Sequence, residues 1–282
     1  MLQPGADGKA CLSMSGDDKH DDRPATTATA SSYQSRRRRR CVQLGIACLL
    51  TAIFVGIVLW SRGFFEDPSR RQVLTIAPEA LFEQLCDEVH ELQLNKLHVS
   101  QFSVDDQLVS KIGHLDSIET LILDEGVVTD ESIETIAGLP RLQHLRLRLS
   151  PISDRGLKLL SEAESLWYLN LPHAECTSEG IAALANLPRL RQLRLGSPNL
   201  SNEVTREIAK LDSLRGIHLI GVAVTDEGLK TLAAMPHLES IYLDDSAVTE
   251  AGWDWLFEEY PHLHVHIDQA HHDRDPKAHR HH

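Results

Sequence analysis

The sequence predicts an α/β fold, a curved solenoid with a parallel sheet on its concave face and helices on its convex face, preceded by a transmembrane helix. Apolar residues recur every 24 residues over about 170 residues, and an uncharged apolar stretch of 20 residues follows five arginines. A single helix or strand cannot keep one phase over such a length, whereas a stack of equal coils can. The repeats begin at seven anchor residues: Leu94, Ile118, Leu142, Leu166, Leu190, Leu214 and Leu238.

Each repeat is predicted to contain a strand, a turn and a short helix. Apolar residues three and five positions after the anchor, such as Leu169 and Leu171 after Leu166, alternate with polar ones as in a strand. Eleven positions after the anchor, a hydroxyl residue such as Thr225 precedes an acidic or small polar residue such as Asp226. This pair is typical of a helix N-cap with a favourable first-turn charge.

The repeat pattern, Leu-x-x-Leu-x-Leu followed by Val-Thr-Asp-Glu-Gly-Leu-x-x-Leu-Ala, resembles the leucine-rich repeat family, and most of all its bacterial 24-residue and ribonuclease-inhibitor-like types. The resemblance covers residues 94–267 and implies an interaction scaffold rather than an enzyme. The family often carries Asn or Cys eight residues after the anchor, and this chain carries neither, so that hydrogen-bond ladder is expected to be mostly absent. The residues at that position are Gly126, Ser150, Ala174, Pro198, Val222 and Ser246.

The N-terminal segments predict a single-pass membrane protein. Residues 1–35 are poor in apolar side chains and are predicted to form a disordered cytoplasmic tail. Residues 36–60 combine five arginines with the apolar segment Cys41 to Trp60, which at about 1.5 Å per residue is long enough to span a bilayer. The arginines predict a cytoplasmic N-terminus and a repeat domain outside the cytoplasm. The membrane is expected to be a bacterial inner membrane.

The sequence fits an uncleaved anchor better than three other interpretations of this region. A cleaved signal peptide lacks a small-residue cleavage pattern after Trp60, and the stretch 44–48 only faintly resembles a lipoprotein box. The arginine run could serve nuclear import or nucleic-acid contact, but its apolar neighbour favours a role in topology. Ala52 and Gly56 form one small-xxx-small pair, which suggests weak self-association through the transmembrane helix.

The remaining segments are predicted to frame the repeats. Residues 61–77 form a juxtamembrane linker, and residues 78–93 an N-terminal capping helix that covers the open end of the solenoid. The repeats with a capping strand occupy 94–268, and 269–282 is a His-rich tail. The apolar face of the capping helix is expected to contain Leu81, Phe82, Leu85, Cys86, Val89 and Leu92.

Charge and cysteine content narrow the partners. Residues 1–40 contain eight Lys/Arg and five Asp, which leaves 20 basic and 36 acidic residues, a net charge of −16, for residues 41–282. An acidic domain of this kind argues against nucleic-acid binding, which needs a basic footprint. The five cysteines form no disulfide framework, and Cys86 and Cys176 are predicted to be core residues.

A binding site is predicted on the concave face, where the side chains two, four and six residues after each anchor emerge. His144, Arg146, Arg148 and Arg194 form a basic cluster within an acidic domain. Arg and Tyr are common at protein interfaces, so we expect a protein ligand, acidic or phosphate-bearing. The alternatives are an anionic cell-envelope polymer and a merely solvated sheet. The candidate residues are His144, Arg146, Arg148, Tyr168, Asn170, Arg194, His218 and Tyr242.

Catalytic and metal signals are weak. The sequence contains no nucleophile elbow, zinc-protease motif, phosphate loop or paired-cysteine zinc spacing, so no catalytic residue, cofactor or metal site is assigned. His262, His264 and His266 alternate along one strand near the His-rich tail, which predicts adventitious affinity for metal. An enzyme, or an enzyme-regulating subunit with an unrecognised site, is kept as a third interpretation.

Overall fold

The computed structural model describes residues 77–271 of the 282-residue chain. The predicted cytoplasmic tail and transmembrane segment lie outside the described residues, as does the linker up to residue 76 and the end of the tail from residue 272. Among the helices of residues 77–271, none combines the length and the apolar character that a bilayer span requires.

The described residues form one continuous sheet whose strands follow each other in chain order. The first eight strands pair in parallel, and each pairing joins residues 24 apart, as between Leu169 and Leu193. The strands are β1 Lys96–Val99, β2 Thr120–Leu123, β3 His144–Leu147, β4 Tyr168–Leu171, β5 Gln192–Gly196, β6 Gly216–Ile220, β7 Ser240–Asp244, β8 His264–Ile267 and β9 Ala270–His271. The register therefore equals the sequence period. A parallel sheet in which a short helix follows each of the first seven strands is the architecture expected of a leucine-rich-repeat solenoid.

The last strand, β9, turns back and pairs antiparallel with β8. The turn is made by Asp268 and Gln269, whose φ angles of 49° and 65° lie in the left-handed region. The sequence analysis assigned Asp268 to the end of the repeats and Gln269 to the His-rich tail, and it did not predict β9.

Each coil returns through a short helix. The helices are α1 Pro78–Glu91, α2 Asp106–Val109, α3 Asp130–Ala137, α4 Asp154–Leu160, α5 Ser178–Ala183, α6 Val204–Ile208, α7 Asp226–Ala233 and α8 Glu250–Glu259, with 3-10 turns at Ser110–Ile112 and Leu184–Asn186. Hydroxyl groups of Thr129, Ser153, Thr177 and Thr249 accept hydrogen bonds from first-turn amides, as the N-cap pattern predicts. The predicted cap Thr225 makes no side-chain hydrogen bond to the first turn of α7, and α6, in the irregular fifth repeat, has no side-chain cap either.

A continuous apolar core lies between the sheet and the helices. Leu169 and Leu195 are fully buried in it, as are most anchors. Helix α1 adds Phe82, Cys86 and Val89 to this core. Leu92 was expected on the same face but is 60% exposed, because α1 ends at Glu91.

A ladder of carboxylate and amide side chains links consecutive coils. A polar residue at the start of one helix, or just before it in the case of Asn202, accepts hydrogen bonds from the backbone N–H and hydroxyl of the residue 23 positions later, in the next coil. For example, Asp154 accepts from Thr177 N and Thr177 Oγ1, both at 2.7 Å, and from Gly180 N at 3.1 Å. We call this set the inter-coil ladder: Asp106, Asp130, Asp154, Asn202 and Asp226.

The ladder explains the glycines in the first helical turn. A Cβ atom on Gly180 would lie closer than 3 Å to both the carboxylate and the Cα of Asp154. The ladder is interrupted between the fourth and fifth repeats, where Ser178 replaces the acid and Val204 replaces the glycine. Without the longer acid the next coil has room for the apolar Val204, whereas beside Asp106 the same position holds Ser132, whose hydroxyl donates to that carboxylate.

Candidate binding site on the sheet face

The sheet face, the side of the sheet opposite the helices, carries the predicted candidate residues. Along β3 the side chains alternate: His144 and Arg146 are partly exposed, whereas Leu145 and Leu147 are buried. The other candidates lie on the same face as His144 and Arg146, because parallel pairing at a shift of 24 residues places equivalent positions of neighbouring strands side by side.

Three of the predicted arginines converge on one cleft of about 300 Å³. Arg146 on β3 is in register with Asn170 on β4, which is in register with Arg194 on β5. We call this the basic cleft, and its lining residues are Arg146, Arg148, Asn170, Pro172, His173, Arg194 and Ile220. His173 was not predicted, because it lies beyond the end of its strand.

The floor of the basic cleft contains polar atoms without partners. Asn170 was predicted to point outward, yet it is only 2% exposed. Its amide nitrogen donates to Tyr168 Oη at 3.3 Å, while its Oδ1 has no hydrogen-bond partner among the described residues. The Nε atoms of Arg146 and Arg194 are likewise buried and unpaired there. Such groups are rare in folded proteins and cost about 1–3 kcal/mol each. The two Nε atoms are donors that lack an acceptor, whereas Asn170 Oδ1 is an acceptor that lacks a donor.

Two carboxylates that the sequence did not predict lie beside candidate residues and partly compensate their charge. Asp124, six residues after its anchor and 13% exposed in its side chain, accepts a hydrogen bond from His98 Nε2 at 2.9 Å. Its Oδ1 lies 2.6 Å from Arg146 Nη2, a charge contact without hydrogen-bond alignment. Arg148 and Arg194 have no ion pair within the described residues, so they supply most of the cleft's uncompensated charge.

The second missed carboxylate is Asp244 at the end of β7. It lies 2.8 Å from His218 Nε2 and accepts a hydrogen bond from Gln269 N at 3.1 Å. Burial lowers the pKa of His218, while the hydrogen bond and charge of Asp244 oppose that shift. The net direction is downward, so His218 is a neutral imidazole at pH 7.

Aromatic side chains adjoin the basic cleft. His144 stacks on Tyr168 with ring centroids 4.0 Å apart and an interplanar angle of 23°. Burial, then the charges of Lys96 and Arg146, lower the pKa of His144 and keep it neutral at pH 7. A neighbouring cleft of about 180 Å³, the aromatic cleft, is lined by Tyr168, Gln192, Leu193, Arg194, Ile217, His218 and Tyr242. All eight predicted site residues therefore lie on the sheet face, in or beside these two clefts.

Among the described residues, His262, His264 and His266 near the C-terminal end form no recognisable metal centre. His264 Nε2 and His266 Nε2 are 3.1 Å apart, a distance that fits a hydrogen bond between the rings. Across residues 77–271, no group of three or more His, Cys, Asp or Glu side chains is arranged to hold a metal ion.

Neither a family model nor a curated protein matches the chain. Solved structures with a similar fold include an internalin F of Listeria monocytogenes, at 18% identity and a TM-score of 0.46, over 65% of this chain and 57% of that one. An internalin C2 of the same species has 20% identity and a TM-score of 0.47, over 65% of this chain and 92% of that one. A leucine-rich-repeat protein of Leptospira interrogans has 19% identity and a TM-score of 0.43, over 67% of this chain and 50% of that one.

Similarity at this level bears on the fold and assigns no function. The chain spans only 57% and 50% of the lengths of the internalin F and Leptospira chains. Any function must therefore be argued from the residues of the clefts themselves.

Proposed function

We propose that the repeat domain is a protein-binding module that holds an acidic or phosphate-bearing group of its partner in the basic cleft. The observation that carries the proposal is the convergence of Arg146, Arg148 and Arg194 on one cleft, where Arg148 and Arg194 have no ion pair within the described residues. A carboxylate or phosphate there would accept charge-assisted hydrogen bonds from guanidinium groups that are already positioned. The predicted sheet curvature would present this cleft at the centre of a broad surface.

We further propose that the domain is presented outside the cytoplasm by an uncleaved N-terminal anchor. Support comes from the sequence alone, from the arginine run before the uncharged segment Cys41 to Trp60. Protease added to intact cells or spheroplasts is expected to degrade the repeats and to spare residues 1–40. Repeats that are cut only after lysis would show that the orientation is reversed.

The binding proposal is tested by crosslinking in native membranes, followed by mass spectrometry. A wild-type protein adduct that disappears in Arg148→Glu/Arg194→Glu supports the proposal. These two positions are chosen because neither is paired with a carboxylate, whereas Arg146→Glu would place a second acid beside Asp124.

A charge-matched control is Arg155→Glu/Lys158→Glu in helix α4, which changes the net charge by the same amount on the opposite side of the sheet. It should keep the adduct, and wild-type binding should weaken as the salt concentration rises. A sheet-face variant that keeps the partner at unchanged affinity would refute the proposal. A carbohydrate-only adduct would favour the anionic cell-envelope polymer instead.

A further inference from the structure

A second basic cleft lies at the N-terminal ends of the central strands. It has a volume of about 770 Å³, and we call it the rim cleft. Its lining includes Gln143, Trp167, Arg189, Arg191, Gln192 and Arg215. None of the three arginines belongs to the predicted site, because they lie one position before or after the anchors rather than on the sheet face.

Charge is concentrated and uncompensated in the rim cleft. Arg189 and Arg191 are exposed and form no ion pair with any described residue. Arg215 is partly fixed, since its Nη1 donates to the carbonyl oxygen of His237 at 3.1 Å. Glu239 is the one carboxylate among the lining residues. Three arginines against one acid leave a basic surface in a domain that is acidic overall.

An exposed aromatic side chain borders the rim cleft. Trp167 is 38% exposed, and its ring packs edge-on against Tyr168 at 5.8 Å and His144 at 6.2 Å between centroids. These contacts hold the indole in place, so little side-chain entropy would be lost on binding. Trp and Arg together are the residue types most enriched at the energetic centres of protein interfaces.

Neighbouring clefts share lining residues on β5. Gln192 lines both the rim cleft and the aromatic cleft, and Arg194 lines both the aromatic cleft and the basic cleft. Arg191 and Arg194 are three residues apart, roughly 10 Å between Cα atoms in an extended strand. Together the three clefts form a groove along β5. The rim cleft and the basic cleft lie at its two ends, and the aromatic cleft lies between them.

We infer that the partner segment is an extended acidic polypeptide that lies along β5 and places two separate acidic clusters, one in the basic cleft and one in the rim cleft. This inference rests on the proposed function and specifies the ligand. The aromatic cleft between them, at about 180 Å³, is smaller than the roughly 300–1,000 Å³ of small-molecule sites and suits one side chain of the segment. The Trp and Tyr borders also favour a polypeptide over a bare polyanion.

Fluorescence anisotropy with synthetic peptides and the full chain in detergent tests the inference. One fluorescein-labelled peptide carries two Glu-Glu pairs separated by two neutral residues, which matches the spacing of Arg191 and Arg194 in an extended chain, and another carries a single pair. Because linked sites gain from effective concentration, the two-pair peptide should bind at least about tenfold more tightly. Arg189→Glu/Arg191→Glu should remove that gain, and the helix α4 control Arg155→Glu/Lys158→Glu should retain it.

The outcomes separate this inference from the proposed function. If Arg148→Glu/Arg194→Glu abolishes binding but Arg189→Glu/Arg191→Glu changes nothing, the basic cleft stands and the second subsite is wrong. If only the rim variant loses binding, the proposed site itself is wrong. Polygalacturonate that binds more tightly than the two-pair peptide, or a failure of both peptides to bind wild-type protein, would overturn the assignment to an acidic polypeptide. Circular dichroism confirms that each variant is folded.

Discussion

Removing one member of the inter-coil ladder should loosen the contact between two neighbouring coils. In Asp154→Ala, three donors of the next coil, Thr177 N, Thr177 Oγ1 and Gly180 N, lose their acceptor. Hydrogen bonds to charged acceptors contribute about 1.5–3 kcal/mol each when they are buried. Thr177 is exposed, so water replaces much of the loss, and we expect a total destabilisation of about 1–2 kcal/mol.

Two measurements check this expectation. Urea unfolding followed by circular dichroism gives the overall loss, and hydrogen exchange of the segment 174–183 gives the local one, since coils of a solenoid support mainly their neighbours. Exchange should accelerate in that segment and remain unchanged in β7 and β8. Asp154→Asn should lose less, because Asn202 fills the equivalent position and holds Thr225 N and Oγ1 with one amide oxygen.

The chain provides a matched control at the gap in the ladder. Ser178 occupies the ladder position but makes no side-chain hydrogen bond to the next coil within the described residues. Ser178→Ala should therefore change stability by less than about 0.5 kcal/mol. If Asp154→Ala and Ser178→Ala behave alike, in both unfolding and exchange, the ladder does not stabilise the stack.

Three further outcomes are expected. The hydrogen bond from Thr249 N, and then that from its hydroxyl, lowers the pKa of Asp226 below 3.8. The carboxylate of Asp226 therefore stabilises the fold fully above pH 3.8, and this stabilisation is lost as the pH falls below that value. Thermal melts are to be recorded from pH 3 to 7, and an equal decline of the melting temperature in wild type and Asp226→Asn would contradict this. Leu169→Ala should cost about 2–5 kcal/mol in urea unfolding, and a loss below about 1 kcal/mol would contradict the coil register. Burial raises the thiol pKa of Cys86 to about 11 and of Cys176 to about 12, so residue-resolved mass spectrometry should find both unalkylated by iodoacetamide at pH 8 until urea is added.

The sequence period determines the part of the fold that could be predicted. A shift of 24 residues brings Leu169 beside Leu193 and Asn170 beside Arg194, so the strand register and the convergence of the arginines followed from counting. The N-caps were equally accessible, because they depend on a hydroxyl and an amide two or three residues apart. Both are local or strictly periodic relationships.

Interactions between unlike positions of neighbouring coils could not be derived in this way. The ladder joins residues 23 apart, so its acids looked like ordinary first-turn charges until the coils were stacked. Asn170 lies between the partly exposed Arg146 and Arg194 in its row, yet it is buried because these neighbours in register have long side chains. Burial at such a position depends on neighbouring side-chain size rather than on strand alternation.

The two missed carboxylates, Asp124 and Asp244, restrict where an acidic ligand can bind on the sheet face. Asp124 follows β2 and Asp244 ends β7, so each lies on the sheet beyond one side of the basic cleft on β3 to β5. An acidic segment approaching the outer coils would meet like charge there, whereas the central coils offer unpaired arginines. Repulsion at the flanks combined with attraction at the centre restricts where such a ligand can bind. The acidity of the domain is thus compatible with an acidic partner, because these two carboxylates disfavour the positions beside them on either side of the groove along β5.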